Sequence, residues 1–153
     1  MAILAGCAGG AVPTRPPGST ETNGAQSEMA RGGVTGRWDG SSIAGCQPLQ
    51  PDAWRCNAVE KITLRIFEKD LSLSGDYTCI TGTMVCRENN NHGVIVHGEL
   101  RDNNLVVLRV MLPDGSSCLF NGHRSEETLA GNYFCMQGGG FIEQGRFTLE
   151  KTW

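Results

Sequence analysis

Apolar and polar residues alternate along much of the chain after residue 36, in short runs with turn residues between them. Every second residue is apolar or glycine in residues 62–66, 73–79 and 106–112. A period of two is typical of a strand that buries one face. Similar short runs are found at residues 83–87, 94–100, 118–120, 130–135 and 141–149. The pattern predicts eight or nine strands, with Val94 and Val96 on the same buried face as Gly98.

Polar turn residues link these runs. Residues 101–104 (RDNN) and 89–93 (NNNHG) are polar, and 113–115 (PDG) combine a Pro that presets φ with a Gly that accepts a positive φ. Short connections predict antiparallel neighbours. We therefore expect an all-β domain at residues 36–153, either an up-and-down β-barrel or a two-sheet sandwich.

Residues 1–35 have a different composition. Gly, Pro, Ser and Thr are frequent there, and no apolar periodicity is present. Such a segment cannot bury enough apolar surface to offset its chain entropy, so we expect a flexible tail. No apolar run of about 18 residues, the length of a membrane-spanning helix, occurs in the chain.

The tail begins with a short motif, Leu4-Ala5-Gly6-Cys7. It resembles the lipobox of bacterial lipoproteins. The resemblance implies cleavage before Cys7, a lipid on that Cys, and a membrane tether on the periplasmic or cell-surface side. A signal peptide needs a basic region and an apolar stretch before the cleavage site, and only six residues precede Cys7. This interpretation therefore expects the true start to lie upstream.

The remaining six of the seven cysteines lie in the predicted domain. An even number of cysteines suggests disulfides and an oxidising compartment. We favour pairing in chain order, because each bridge would then join neighbouring strands: Cys46–Cys56, Cys79–Cys86 and Cys118–Cys135. The alternative is a set of six reduced, buried thiols in a protein inside the cytoplasm.

A weak repeat links two of the strands. Residues 75–82 (GDYTCITG) parallel residues 131–138 (GNYFCMQG), and residues 35–40 (TGRWDG) are a looser third copy. A Gly followed two positions later by an aromatic residue resembles the opening of calycin barrels such as lipocalins and avidins. The resemblance implies a small barrel, and it carries over no ligand residues.

Catalytic and metal-binding motifs are not evident. The sequence has no nucleophile elbow, no zinc-protease motif and no phosphate-binding loop. The spacing of Cys79, Cys86, His92 and His97 is wider than that of usual zinc sites. Carboxylates in turns or on outward faces are interpreted as solubilising: Asp76, Glu99, Asp102, Asp114, Glu126 and Glu127. We expect no enzyme activity, no cofactor and no metal; the net charge of −3 argues against a nucleic-acid partner.

One strand is apolar on both faces. Leu105, Val107 and Met111 alternate with the inward set at 106, 108 and 110. Such a strand is covered on both sides, either by a sandwich core or the tail, or by a protein partner, or it lines an apolar cavity. We take the three as candidate partner contacts. Gly138-Gly139-Gly140 is interpreted as a turn, with a flexible lip at the barrel mouth as the alternative.

Three functions suit this pattern. The first is an accessory or scaffold subunit of a membrane-associated complex, with respiratory and photosynthetic assemblies as candidate hosts. The second is a calycin-like carrier of a small apolar ligand, which a barrel filled by Ile62, Tyr77, Val96, Leu108 and Phe120 would argue against. The third is an inhibitor like the bacterial lysozyme inhibitors, which Tyr77-x-Cys79 faintly resembles.

Overall fold

Eight strands pair in chain order and form a closed antiparallel barrel in the computed structural model, which describes residues 33–45, 58–80, 85–101 and 104–153. The described residues belong to one compact unit, Gly32–Trp153. The strands are β1 (Gly36–Ala44), β2 (Ala58–Lys69), β3 (Ser72–Cys79), β4 (His92–Arg101), β5 (Leu105–Met111), β6 (Ser117–Arg124), β7 (Thr128–Gln137) and β8 (Gly140–Lys151). Because β1 pairs with both β2 and β8, the sheet has no free edge. The all-β prediction is confirmed, as a barrel and not a sandwich.

One predicted strand is absent where the structure can test it. Residues 85–87 belong to the β3–β4 connection and not to a strand. The side-chain amide of Asn90 donates to the Val85 carbonyl at 2.8 Å, and the Asn90 N–H donates to the Arg87 carbonyl at 2.8 Å. These bonds close a turn, so the prediction for 83–87 is wrong over its described part. The eighth strand is instead β1.

A β-bulge in β4 reverses the predicted orientation of Val94 and Val96. The pairing of β4 with β5 shifts between Ile95 and His97. An extra residue at a bulge changes which side chains point inward. Ile95 is therefore buried and packs in the interior, whereas Val94 and Val96 are more than half exposed. Before the bulge the buried positions are Gly93 and Ile95, and the predicted inward positions are occupied only after it, where Gly98 is buried.

Aromatic rings fill the middle of the barrel. The Phe120 ring centroid lies 5.8 Å from that of Tyr77, 5.4 Å from that of Tyr133 and 5.3 Å from that of Phe147. Such distances are typical of favourable ring contacts. Ile62 and Leu108 are buried in the same interior cluster. Of the five residues proposed to fill the barrel, only Val96 points out.

One end of the barrel is closed by apolar side chains. Trp38 of β1 and Val34, just before it, are fully buried. The indole Nε1 of Trp38 donates to the Val34 carbonyl at 2.8 Å, which satisfies its one polar group. The ammonium of Lys151 lies 5.5 Å from the centre of the Trp38 ring and donates to the Gly33 carbonyl at 2.9 Å. We call this the apolar end.

Two of the three predicted disulfides are confirmed. Cys79 bonds to Cys86 and Cys118 bonds to Cys135. The third predicted pair, Cys46–Cys56, and the lipobox Cys7 lie outside the described residues. Among the described residues, no helix is long and apolar enough to cross a membrane.

Two of the predicted turns are present. Pro113-Asp114-Gly115 connects β5 to β6, and Gly115 has a φ of 82°. The Gly115 N–H donates to the Leu112 carbonyl at 3.0 Å. Gly138 and Gly139, at φ 58° and 81°, form the two-residue connection of β7 to β8. Two consecutive positive φ angles suit a tight hairpin turn, so these glycines act as a turn.

Candidate functional site

Two carboxylates face the barrel interior at the end opposite Trp38. Glu60 lies on the inward face of β2, in alternation with Ile62 and Leu64. Glu143 lies near the start of β8, two residues before Gly145 and four before the buried Phe147. Their exposed fractions are only 5% and 3%. Buried carboxylates are costly without polar partners, so their surroundings identify a specialised region.

Hydroxyl groups surround both carboxylates. Ser42 Oγ donates to Glu60 Oε1 at 2.8 Å, and the Tyr133 hydroxyl donates to Glu143 Oε1 at 2.8 Å. The Tyr77 side chain also hydrogen-bonds Glu60. We call these five residues the polar cluster and their end of the barrel the polar end. Ser42 and Glu60 lie directly across from each other on β1 and β2, so the strand register brings them together.

The polar cluster keeps both phenols neutral. Burial raises the pKa of Tyr77 well above its usual value, and the nearby charge of Glu60 raises it further. Burial, followed by the charge of Glu143, raises the pKa of Tyr133 as well. Both effects disfavour the tyrosinate, because a second negative charge would be desolvated beside a carboxylate. The phenols therefore act as hydrogen-bond donors.

The internal repeat explains how both tyrosines reach this place. Tyr77 and Tyr133 each follow a Gly by two positions and precede a disulfide Cys by two. A Cβ at Gly75 would lie 1.8 Å from the Arg65 carbonyl oxygen, and one at Gly131 would lie 2.0 Å from that of Asn121. Only Gly permits this approach of neighbouring strands. Each copy of the repeat therefore has three features in the same order: a Gly at a close contact with the neighbouring strand, a Tyr that points into the barrel, and a Cys that forms a disulfide.

Both described disulfides lie at the polar end. In the strand register, Cys135 of β7 lies directly opposite Glu143 of β8. Cys79 is the last residue of β3, and its sulfur lies close to the Glu60 carboxylate. Among the described residues, one group of three possible metal ligands was found, consisting of Glu60, Cys79 and Cys86. The two sulfurs are bonded to each other. A disulfide offers no thiolate, and so this group is not a metal site in the oxidised protein.

The other residues considered for chemistry are spread over the outer surface. Arg65 pairs with Asp76 at 2.9 Å, and on β4 the Glu99 carboxylate contacts His97 and Arg101, each at 2.7 Å. The guanidinium of Arg101 lowers the pKa of Glu99. The remaining histidine and carboxylates considered from the sequence are also exposed: His92, Asp114, Glu126 and Glu127. Asp102 lies outside the described residues. The described members do not converge in one cleft.

The candidate partner contacts lie on β5. Val106, Leu108 and Val110 belong to the interior cluster, whereas Leu105, Val107 and Met111 do not. Alternation along the strand therefore places the latter three on the outer face. Leu105 and Met111 are half-buried, and Val107 is buried although it faces outward. Its direct cross-strand neighbours are Glu99 and Asn121.

Met111 belongs to a wider apolar surface. Cross-strand pairing forms one row around the barrel from Val94 through Met111, Ser117 and Met136 to Phe141. The neighbouring row contains Leu119 opposite Phe134. We call the apolar residues of the two rows the outer apolar face: Val94, Met111, Leu119, Phe134, Met136 and Phe141. Val94, Phe134, Met136 and Phe141 are exposed.

Sequence reasoning missed the polar cluster, although a signal for it was present. Glu60 has the same parity as Ile62 and Leu64, and Glu143 has the same parity as Phe147 and Leu149. A charged residue at an inward position of a strand conflicts with a purely apolar core. The alternation of each strand alone therefore predicts that both carboxylates point into the barrel.

Comparison with known proteins gives no family. No protein-family model matches the chain, and no curated protein matches it.

Proposed function

We propose that this protein is a non-enzymatic, extracytoplasmic lipoprotein whose barrel serves as an accessory subunit of a membrane-associated protein complex. The observation that carries the proposal is the outer apolar face. Val94 is 58% exposed, Phe141 44%, Phe134 37% and Met136 36%, and all four lie in two adjacent rows. Contiguous apolar surface on a protein is characteristic of an interaction site.

The composition of this face suits a protein partner. Met and aromatic side chains are enriched in the centres of protein interfaces, and acidic side chains are depleted. The outer apolar face contains two Met and two Phe residues, and Asp76, which lies opposite Val94 at its border, is paired with Arg65. A closed barrel cannot extend its sheet into a partner, so contact must be made by side chains on its surface.

The membrane location is supported by sequence and covalent structure. The lipobox resemblance at Cys7 provides an anchor, and the two disulfides suit an oxidising compartment. The relation to calycins is supported by the eight-stranded barrel and by Trp38, which follows Gly36 by two positions and is fully buried at the apolar end.

The test is isolation of the tagged full chain from native membranes after photo-crosslinking. A photoreactive residue at Met136 should capture one defined partner, and Met136→Asp in the tagged protein should abolish its co-purification. Ser74→Asp is the matched control, because Ser74 is an exposed strand residue outside the outer apolar face. Equal recovery of the same proteins with both variants would contradict the proposal, as would a barrel that crosslinks to nothing. Mass spectrometry of the N-terminal peptide tests acylation of Cys7.

The polar cluster favours a second candidate, a carrier of a small molecule. Two carboxylates and two phenols at one end of a barrel suit a polar or cationic molecule better than an apolar one. The rings around Phe120 restrict such a molecule to the polar end. Native mass spectrometry of the protein purified from its source should then detect a bound polar compound that Glu60→Gln loses. If every preparation shows only the mass of the protein without a bound compound, the carrier function is contradicted.

A further inference from the structure

A groove lies on the outer surface beside the outer apolar face. Its volume is about 410 Å³, and it spans strands β6, β7, β8 and β1. Strand pairing places Asn121 opposite Asn132, Asn132 opposite Arg146, and Arg146 opposite Ile43. The groove is therefore a continuous row of outward side chains, held in place by three pairs of hydrogen-bonded strands.

The polar side chains that line the groove, which include Gln144 of the neighbouring row opposite Phe134, have no partners within the described part of the chain. Asn121, Asn132, Gln144 and Arg146 make no side-chain hydrogen bond or ion pair with the described residues. Elsewhere on the barrel, outward arginines such as Arg37 and Arg65 are paired with carboxylates at 2.7 and 2.9 Å. Within the described residues, the side-chain donors and acceptors of the groove are therefore not used by the protein's own contacts.

The charge of the groove favours an anion. Arg146 lies within it and is the cationic residue of its lining. Glu143 is close in sequence but points into the barrel, where Tyr133 binds it. Glu150 lies at the other end of β8. The guanidinium of Arg146 pairs with no carboxylate among the described residues, and such a group can donate two parallel hydrogen bonds to a ligand carboxylate.

The apolar walls limit the shape of the ligand. Phe134 borders the groove on one side and Ile43 on another, with exposed fractions of 37% and 46%. An exposed ring can contact a flat, weakly polar surface such as the C–H face of a sugar ring. The planar amides of Asn121, Asn132 and Gln144 each offer both donors and acceptors, which suits neighbouring hydroxyl groups.

We propose that this groove binds a sugar acid, in which Arg146 holds the carboxylate, the three amides bind ring hydroxyls and Phe134 contacts the ring face. The site is separate from the partner contact proposed above. It uses the polar row that contains Arg146 and shares only Phe134 with the outer apolar face.

The test is a titration of the isotope-labelled, disulfide-intact full chain with glucuronate, followed by amide NMR. Shifts should be confined to residues around the groove. Arg146→Gln should weaken binding at least about tenfold, because it removes a charge-assisted pair. Arg109→Gln is the matched control, since it removes an outward arginine of the adjacent strand β5 and should leave affinity within about twofold. Asn132→Ala should weaken glucuronate binding with Arg146 intact.

Three further probes separate the ligand classes. Glucose lacks the carboxylate, and acetate lacks the ring, so each should bind more weakly than glucuronate by about tenfold or more. Equal binding of acetate would mean that the groove holds any small anion, and equal binding of glucose would remove the role of Arg146. A peptide with a free C-terminal carboxylate that binds more tightly than glucuronate would assign the groove to a protein partner. Any of these results, or the absence of shifts, overturns the proposal.

The variants distinguish failure of the sugar-acid proposal from failure of the proposed accessory role. Met136→Asp should abolish partner capture without changing the glucuronate titration, because Met136 is not part of the groove lining. Arg146→Gln should weaken sugar binding while the photo-crosslink at Met136 is retained.

Discussion

The two ends of the barrel are built differently. At the apolar end, Trp38 and Val34 are fully buried and the only polar atom of the indole is satisfied by a backbone carbonyl. At the polar end, buried carboxylates and phenols replace the apolar side chains, and both described disulfides lie there. One end is therefore stabilised by packing, whereas the other combines a hydrogen-bonded network with covalent bridges.

This difference shows where the sequence departs from the simplest stable barrel. Replacing Glu60 or Glu143 by an apolar residue would satisfy the alternation of each strand, yet the chain has a carboxylate at both positions. Buried polar groups in a core contribute to specificity or function more often than to stability. The two described disulfides add covalent links at the same end.

The largest expected effect is at the apolar end. Trp38→Ala should lower the free energy of unfolding by about 3–5 kcal/mol, because it leaves a cavity under Val34. Ser42→Ala on the same strand is the comparison at the polar end, with an expected loss of about 1–3 kcal/mol from a buried carboxylate that loses a donor. Urea unfolding measures both. A larger loss for Ser42→Ala would show that the polar end, and not the apolar end, contributes more to the free energy of unfolding.

Removal of the Cys118–Cys135 bridge should have the next largest effect. The double variant Cys118→Ala/Cys135→Ala should lose about 3 kcal/mol, given a loop of 17 residues. Hydrogen exchange should accelerate first at the polar end, around Tyr133, while the amides near Trp38 retain their protection. Uniform acceleration along the barrel would show that the two ends unfold together.

The third prediction concerns high pH. The chain has only two tyrosines, so tyrosinate absorbance reports on Tyr77 and Tyr133 alone. Their pKa values are raised in the folded state, whereas the unfolded state loses these protons near about pH 10. The contribution of the two phenols to folding stability is therefore constant below about pH 10 and decreases as the pH rises above it.

Tyrosinate absorbance should consequently appear together with unfolding. Tyr133→Phe should reduce the alkaline loss and should cost about 1.5–3 kcal/mol at neutral pH, since Glu143 loses a donor. Ionisation of either phenol near pH 10 with intact circular dichroism would show that the polar end is open to water.

The smallest effect should come from the contact of Lys151 with Trp38. Lys151→Met keeps the length of the side chain and removes its charge, so the expected loss is about 0.5–1 kcal/mol. Lys61→Met, an exposed lysine on β2, is the control and should change stability by less than about 0.5 kcal/mol. Equal values for the two variants would show that the contact adds nothing to closure of the apolar end.

The period of two predicted most strands of the barrel, because each strand has one face in water and one in the core. It failed at Val96, where the bulge in β4 adds a residue that no local pattern specifies. It also failed at residues 85–87, where Asn90 hydrogen-bonds the backbone and replaces strand pairing. The sandwich could not be excluded from the sequence, since pairing of β1 with β8 joins residues more than 100 positions apart.

The sequence by itself determined the strand periodicity, the turns and the pairing of Cys79 with Cys86 and of Cys118 with Cys135. All of these depend on neighbours within a hairpin or its connection. Only the tertiary structure decided that Glu60 and Glu143 share one end of a barrel, and that Asn121, Asn132 and Arg146 form one groove. These groups lie on separate strands, and closure of the sheet sets which of them meet.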